Sequence, residues 1–388
     1  MQTTLFSCPH ATIGAGAGAA SPGSALGRPH GDGLRRALYG IRRCGLRAGL
    51  LWAALLLAGC AGLPEIGLFM QPAQRTDRFV LPDPDTDVVG QVQYVVARDE
   101  DTLPDFARRY GLGYDEIVAA NPDVDPWLPG AGTRVVLPTR FVLPDAPREG
   151  IVLNLPALRL FYYPPVEEGE PRVVVTHPVG IGREGWRTPV GRMRIIQKTE
   201  NPAWRPPASI RREHAKRGDP LPAVVPAGPD NPLGSHAMRL SRPSYLLHGT
   251  NKPYGVGMRV SHGCVRLYPE DISRLFAEVP VGTDVHIVNQ PYLAGWQDGV
   301  LHLEAHAPLA EDAKRWQGSL APMEKVLRSA STDAPDAVDW EQAQTVARAA
   351  RGLPVPVGAG SPDPDQVIAA ARRAPRVPPW AEPLPQPD

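Results

Sequence analysis

Two histidines and a cysteine, His248, His262 and Cys264, fall within the single stretch Tyr245–Leu267. A cysteine with a histidine base nearby is the minimum equipment for thiol nucleophilic catalysis. A free thiol titrates near 8.5, so only a few per cent is thiolate at neutral pH, and an imidazole shifts that balance by accepting the proton or pairing with the sulfur. His248 stands sixteen residues before Cys264, at the end of an apolar run, and can face it from an adjacent strand. His262 is two residues from the thiol and on a continuing strand would point to the same side. Gly263 lets the backbone approach a substrate closely, and the N–H groups of His262, Gly263 and Cys264 are natural donors to an oxyanion. Arg266, on the same face again, could hold a carboxylate bidentately. Three plainer readings compete: a buried structural cysteine, a packed core His248, and a His262 that only makes structural hydrogen bonds. Metal binding by the same three residues lacks an obvious fourth ligand, although His214 and His236 precede them. No metal and no cofactor are expected.

The elements that must position these residues are short strands. Apolar runs at both ends of Tyr245–Leu267 and glycines in its middle read as strand, loop, strand. Around it Ile151–Leu155, Ala157–Tyr163, Pro171–Val179, Met193–Lys198, Leu240–Tyr245 and Thr283–Val288 are β-rich runs, with one amphipathic helix at Pro269–Val279. Many strands and few helices predict a mainly β fold, a β-sandwich or barrel-like catalytic domain over residues 148–290, ending at 291–308. The proline-rich segment Glu200–His236 carries Arg205, Arg211, Arg212, Lys216 and Arg217. A loop that long within a domain is usually functional, here a lid with Trp204 as an apolar wall. A surface insertion is the alternative.

Lys+Arg and Asp+Glu balance at 41 each, which gives no basis for a nucleic-acid partner. Arg35, Arg36, Arg42, Arg43 and Arg47 make a positive segment that leads into the apolar run Leu46–Ala58, of signal-peptide length and too short for a comfortable membrane span. Leu57-Ala58-Gly59-Cys60 resembles a bacterial lipobox. It implies cleavage before Cys60, lipidation of that residue and, with Ala at position 61, placement at the outer membrane. An ordinary secretory signal is the alternative. Residues 1–59 are thus read as targeting sequence, with 1–33 an over-extended start. Acyl chains anchor stably, at about 0.8 kcal/mol per buried CH2. Cleavage removes Cys8 and Cys44 and acylation occupies Cys60, so Cys264 has no disulfide partner outside the cytoplasm. That favours a reactive thiol.

Residues 60–91 read as a lipidated cysteine and a proline- and aspartate-rich tether, on the order of 100 Å if fully extended. Residues 92–138 follow a β-α-α-β order: a strand at Val92–Val96, helices from Leu103 and from Tyr114, the Asn121-Pro122 turn and a strand at Thr133–Leu137. With Asp101-Thr102-Leu103, this resembles a LysM domain, a glycan-binding module, although Glu100 stands where LysM repeats have glycine.

His248-Gly-Thr and Ser261-His-Gly-Cys264-Val-Arg266 together resemble the signature of YkuD-type L,D-transpeptidases. Val179-Gly-Ile-Gly182, Thr188-Pro-Val-Gly191, Asn201–Pro207, Pro232-Leu-Gly234 and Pro269–Ile272 extend the likeness, which covers residues 92–308 and points to the ErfK/YbiS group. The resemblance implies peptidoglycan as substrate. Cys264 would attack the meso-diaminopimelate carbonyl of a tetrapeptide stem, expel D-Ala, and pass the acyl group to an amine of another stem or to a lysine of an outer-membrane lipoprotein. His248 is implied as general base, oriented by the Gly249 carbonyl. Arg266, Ser261, Trp204 and Tyr254 are the expected substrate contacts. Partners are then stem peptides, glycan and, through the anchor, a membrane facing the periplasm. Water as acceptor, giving a carboxypeptidase or amidase, and a non-catalytic wall-binding lipoprotein are the alternatives. Beyond Pro308 the likeness stops: residues 309–388 predict short helices and then a disordered proline-rich tail.

Overall fold

The computed structural model describes residues 77–167 and 169–377. The targeting segment, Cys60 and the first part of the expected tether lie outside them.

Nine strands form one curled sheet in the order Arg78–Val80, Val173–Pro178, Arg159–Tyr163, Gly150–Asn154, Asp284–Val288, Gly191–Glu200, His236–Leu240, Leu246–His248, Val265–Arg266. Most neighbours are antiparallel, but Asp284–Val288 runs parallel to Gly150–Asn154, and Leu246–His248 parallel to Val265–Arg266. The mainly β expectation is met. One strand differs: Leu240–Tyr245, read as extended, is the turn joining His236–Leu240 to Leu246–His248, and Ser244 there adopts a positive φ of 69°. Its apolar ends, Leu240 and Tyr245, disguise the turn. The inner face packs Ile151, Leu153, Leu160, Ile195, Leu247 and Val265 against Ile272 and Leu275 of the helix Pro269–Glu278. All are essentially fully buried. At about 25 cal/mol per Å2 of apolar surface, this burial is the main force holding the last two strands in register.

The β-α-α-β segment is Gln93–Val96, Leu103–Arg109, Tyr114–Ala120 and Arg134–Leu137. The Thr102 side chain caps the first helix by accepting from Asp105 N. Asn121 closes the second by bonding to Ile117 O and to both backbone groups of Val136. This unit packs directly on the large sheet. Arg159, 1% exposed, holds Glu116 with two bonds of 2.9 and 2.6 Å and also donates to Gly111 O and Thr176.

The tether expectation fails for residues 77–91. Arg78–Val80 is the edge strand of the main sheet, and Val88–Gly90 pairs with Arg140–Val142. Phe79, Leu81, Val88 and Val89 are buried, and that apolar content outweighs the intervening prolines and aspartates. The short helices expected beyond Pro308 are present, while the expected domain end and residues 352–377, read as disordered, join them in a third layer. Tyr292–Gln297 and Val300–Ala305 form a hairpin extended by Val355–Pro356. Its face packs on Met323 and Leu327 of the helix Ala321–Ala330 and on Val346 and Ala347 of Trp340–Ala349. Arg372–Arg373 then pairs with Gln93 and Tyr94. Residues 378–388 lie outside the described residues.

Candidate active site

His248 ends the strand Leu246–His248, and Cys264 immediately precedes Val265, which pairs with Leu247. The thiol therefore lies across from Leu246, and its Sγ donates to the Ser244 carbonyl at 3.5 Å. Two residues further along the same strand, His248 projects from the same face. His248 is 3% exposed, and its Nδ1 donates to the Gly249 carbonyl at 2.6 Å. A carbonyl can only accept, so the proton sits on Nδ1 and Nε2 keeps its lone pair. Burial depresses the imidazole to about 3, helped by the Arg266 charge and opposed by the Gly249 and Leu233 carbonyls. Burial pushes the Cys264 thiol up, while the Leu246 N–H and Arg266 pull it down. The pair thus rests as a neutral thiol beside a neutral base, and not as a thiolate–imidazolium ion pair.

The backbone between His248 and Cys264 is held from two sides. Arg259–Ser261 pairs with Ile181–Gly182. Residues 253–257 are gripped by the β-α-α-β unit: Tyr114 N and Asp115 N, at the start of their helix, donate to Val256 O and Gly257 O at 3.2 and 3.0 Å. A side chain on Gly257 would lie 2.2 Å from Gly113 Cα. Arg108 adds a bidentate pair with Glu270.

The chain turns sharply at Gly263, φ +106°. His262 consequently does not continue a strand, and the expectation that it shares a side with Cys264 is corrected. Its Nε2 lies 3.1 Å from Arg183 Nη2 and 3.2 Å from Glu213 Oε2, and its ring sits edge-on to Trp186 at 4.8 Å. Burial lowers its proton affinity, against the pull of Glu213. Ser261 is buried at 1%. Its hydroxyl donates to Cys264 O at 2.6 Å and accepts from Gly263 N at 3.1 Å. It staples the turn, where a substrate contact had been expected. It also occupies the Gly263 N–H, which removes that group from the free oxyanion donors. Thr188 reinforces the turn by donating to Gly263 O.

Two other expected contacts lie elsewhere. Trp204 pairs through its backbone with Val225 inside the 200–236 insertion, and Trp186 is the aromatic residue at His262. Tyr254, 64% exposed, lines a cavity of about 140 Å3 with Arg108, Arg109, Tyr114 and Tyr268, at the seam with the β-α-α-β unit. The insertion itself contains the helix Ala208–Lys216, whose Glu213 reaches the site. Beside the turn opens a cavity of about 550 Å3, lined among others by Gly182, Thr188, Tyr245, Arg187, Arg242 and Glu311. A larger cavity of about 630 Å3 lies between the hairpin and Ala321–Ala330, and neither cavity has a residue of the Ser261–Arg266 turn in its wall.

Arg266 is half-buried, its Nε without a partner, and its charge falls on both His248 and Cys264. A metal reading finds no support at these residues. Among the described residues the one cluster with ligand geometry is Asp77, His177 and Asp271, elsewhere on the sheet. Arg274 already pairs with both carboxylates there.

Residues 148–287 match the family model of the YkuD L,D-transpeptidase catalytic domain. "Probable L,D-transpeptidase ErfK/SrfK" of Salmonella typhimurium is 40% identical over 73% of this chain and 92% of its own length. The chain belongs to the YkuD-type L,D-transpeptidases. Similarity within the ErfK/YbiS group is close. "Probable L,D-transpeptidase YcfS" of Escherichia coli is 42% identical over 73% of this chain and 89% of its own length. For "Probable L,D-transpeptidase YbiS" of the same organism the values are 43%, 62% and 78%. As an L,D-transpeptidase, the protein is an acyltransferase acting on peptidoglycan. Arg183, Trp186 and Glu213 escaped the sequence reading. Arg183 directly follows the quoted Val179–Gly182 motif, and that adjacency was the available signal.

Proposed function

We propose that Cys264 attacks the meso-diaminopimelate carbonyl of a tetrapeptide stem with His248 as its base. The thiol proton passes to His248 Nε2 as the S–C bond forms, and the backbone N–H groups of His262 and Cys264 receive the developing oxyanion. The C–N bond to D-Ala then breaks, and the leaving amine takes the proton from Nε2. An acceptor amine attacks the thioester, gives its proton to His248, and the sulfur leaves to be reprotonated. Arg266, with Arg187 and Arg242 in the wall of the neighbouring cavity, faces the carboxylates of the stem. The observation that carries this reading is the buried His248, its Nδ1 held by the Gly249 carbonyl, on the strand beside Cys264.

The acceptor is a lysine of an outer-membrane lipoprotein or the amine of another stem, by analogy with the ErfK/YbiS group. Residues 92–138 serve as a LysM-like glycan-facing unit, with Glu100 exposed beside Arg98. Cys60, acylated after signal cleavage, anchors the protein in the periplasm, at the outer membrane. Purified peptidoglycan incubated with the enzyme and a lipoprotein, then digested, tests the acceptor. Lipoprotein-linked muropeptides or 3–3 dimers are expected. Release of tripeptide stems alone would contradict transfer to an amine and leave water as the acceptor.

A further inference from the structure

One carboxylate beside His262, two residues from the nucleophile in sequence, belongs to the protein itself. Glu213, midway along the insertion helix, meets Arg183 Nη2 with both oxygens at 2.6 Å and lies 3.2 Å from His262 Nε2. Arg217, one turn further along, adds a second cationic contact at 2.5 Å. Arg183 is fixed independently of the insertion. Its N–H donates to Ser261 O, one residue before His262, so its guanidinium stands at the catalytic turn. The pairing with Glu213 is geometrically poor for an arginine. Both carboxylate oxygens share a single nitrogen, and Arg183 Nε is buried without a hydrogen-bond partner. A guanidinium normally presents two nitrogens in a fork to a carboxylate. An incoming carboxylate that engaged Nε and Nη2 together would satisfy a buried donor that Glu213 leaves unmet, and such unmet donors are costly.

We propose that Arg183 is the anchor for a carboxylate of the donor stem, and that Glu213 occupies this anchor in the free enzyme as a displaceable surrogate. The inference rests on the acyl-transfer reading above and adds to it the residue that selects the substrate's charge. Two carboxylates of a stem have the required chemistry: the terminal one of the departing D-amino acid and the side-chain one of the diaminopimelate residue. When either binds, the insertion helix loses its hold on Arg183 and His262, so substrate entry and movement of the insertion are one event.

The test is steady-state kinetics on a free tetrapeptide stem and on two derivatives, one amidated at the terminal carboxylate and one at the diaminopimelate side chain. With a competing charge removed, Glu213→Gln lowers KM by about three- to tenfold without a fall in kcat, the net scale of one ordinary hydrogen bond. Arg183→Gln raises KM by about tenfold or more, and Arg183→Lys, which keeps charge but not the fork, falls between. Amidating the anchored carboxylate erases the difference between wild type and Glu213→Gln, and the derivative that does so identifies which carboxylate binds. An unchanged or raised KM with a reduced kcat in Glu213→Gln would overturn the proposal and make Glu213 a support for His262. Thioester formation by the wild type on the same stem is scored separately. Its absence would sink the acyl-transfer reading, whereas its presence with insensitive KM values sinks the anchor alone.

Discussion

At the residue scale, the reactive pair is organised by desolvation more than by charge. A histidine beside a cysteine invites the expectation of a preformed thiolate. Burial acts against the charged form of each partner, and Arg266 favours the thiolate but opposes the imidazolium. Proton transfer is therefore coupled to attack on the carbonyl. The rate of Cys264 alkylation by iodoacetamide should show no inflection near 6.5 from His248 and should keep climbing through and above pH 9. A plateau reached below pH 7 would instead indicate an ion pair. The same shift affects stability. His248 at about 3 and His302 at about 4 bind fewer protons folded than unfolded, where histidine titrates near 6.5. Unfolding free energy thus falls as pH drops from about 6.5 towards 4, by at most about 1.4 kcal/mol per pH unit per histidine. Thermal denaturation at pH 7 and pH 4.5 checks the sign: the lower pH gives the lower Tm. His248, Cys264 and the Gly249 carbonyl could all be read from the local motif. Glu213 could not, because a glutamate among many surface charges carries no sign of where its helix docks. Ser261 was read as a contact because a motif shows which residues are near the thiol but not which way a turn at Gly263 aims them.

At the element scale, the strands that carry the site were visible as apolar runs, and the helix Pro269–Glu278 as a periodic stripe. The insertion helix Ala208–Lys216 was hidden: it buries only Ile210 and starts at Pro207 without a side-chain cap. The loop between base and nucleophile depends on a neighbour far away in sequence. The helix Tyr114–Ala120 spends its first N–H groups on carbonyls of residues 256 and 257, and Glu116 in that helix neutralises the buried Arg159. Glu116→Ala leaves that guanidinium uncompensated and should cost about 3–5 kcal/mol, measured by chemical denaturation. Gly257→Ala meets Gly113 at the closest approach and carries a positive φ of 80°. It should slow acylation of Cys264 as well as lower Tm. A variant with wild-type acylation would show that the seam does not position the loop.

At the scale of the whole molecule, three segments that read as separate modules are interlocked. The described chain from residue 77 onward belongs to one compact unit. Composition suggested a proline- and aspartate-rich tether before the β-α-α-β segment and, after short helices, a disordered proline-rich tail from Gly352. A few apolar residues in each, Phe79 and Leu81 before and Val355 and Val357 after, were enough to reverse that, because each finds a preformed face to cover. The return of Arg372–Arg373 to the first strand of the β-α-α-β unit could not be inferred from so short a segment. A chain ending at residue 308 would expose the apolar face of the 292–305 hairpin and should aggregate, or unfold at least about 2 °C lower, on the scale of a lost 1–2 kcal/mol. A monodisperse truncation with unchanged Tm would contradict the third layer's role. The central claim is that Cys264 is the nucleophile and His248 its neutral base. Intact-mass spectrometry after incubation with a carbapenem, followed by peptide mapping, tests it most directly. The account predicts one covalent adduct on Cys264 in the wild type, none in Cys264→Ala although that variant folds, and adduct formation slowed at least about a hundredfold in His248→Gln. An adduct that persists in Cys264→Ala, or a wild-type rate in His248→Gln, would contradict it.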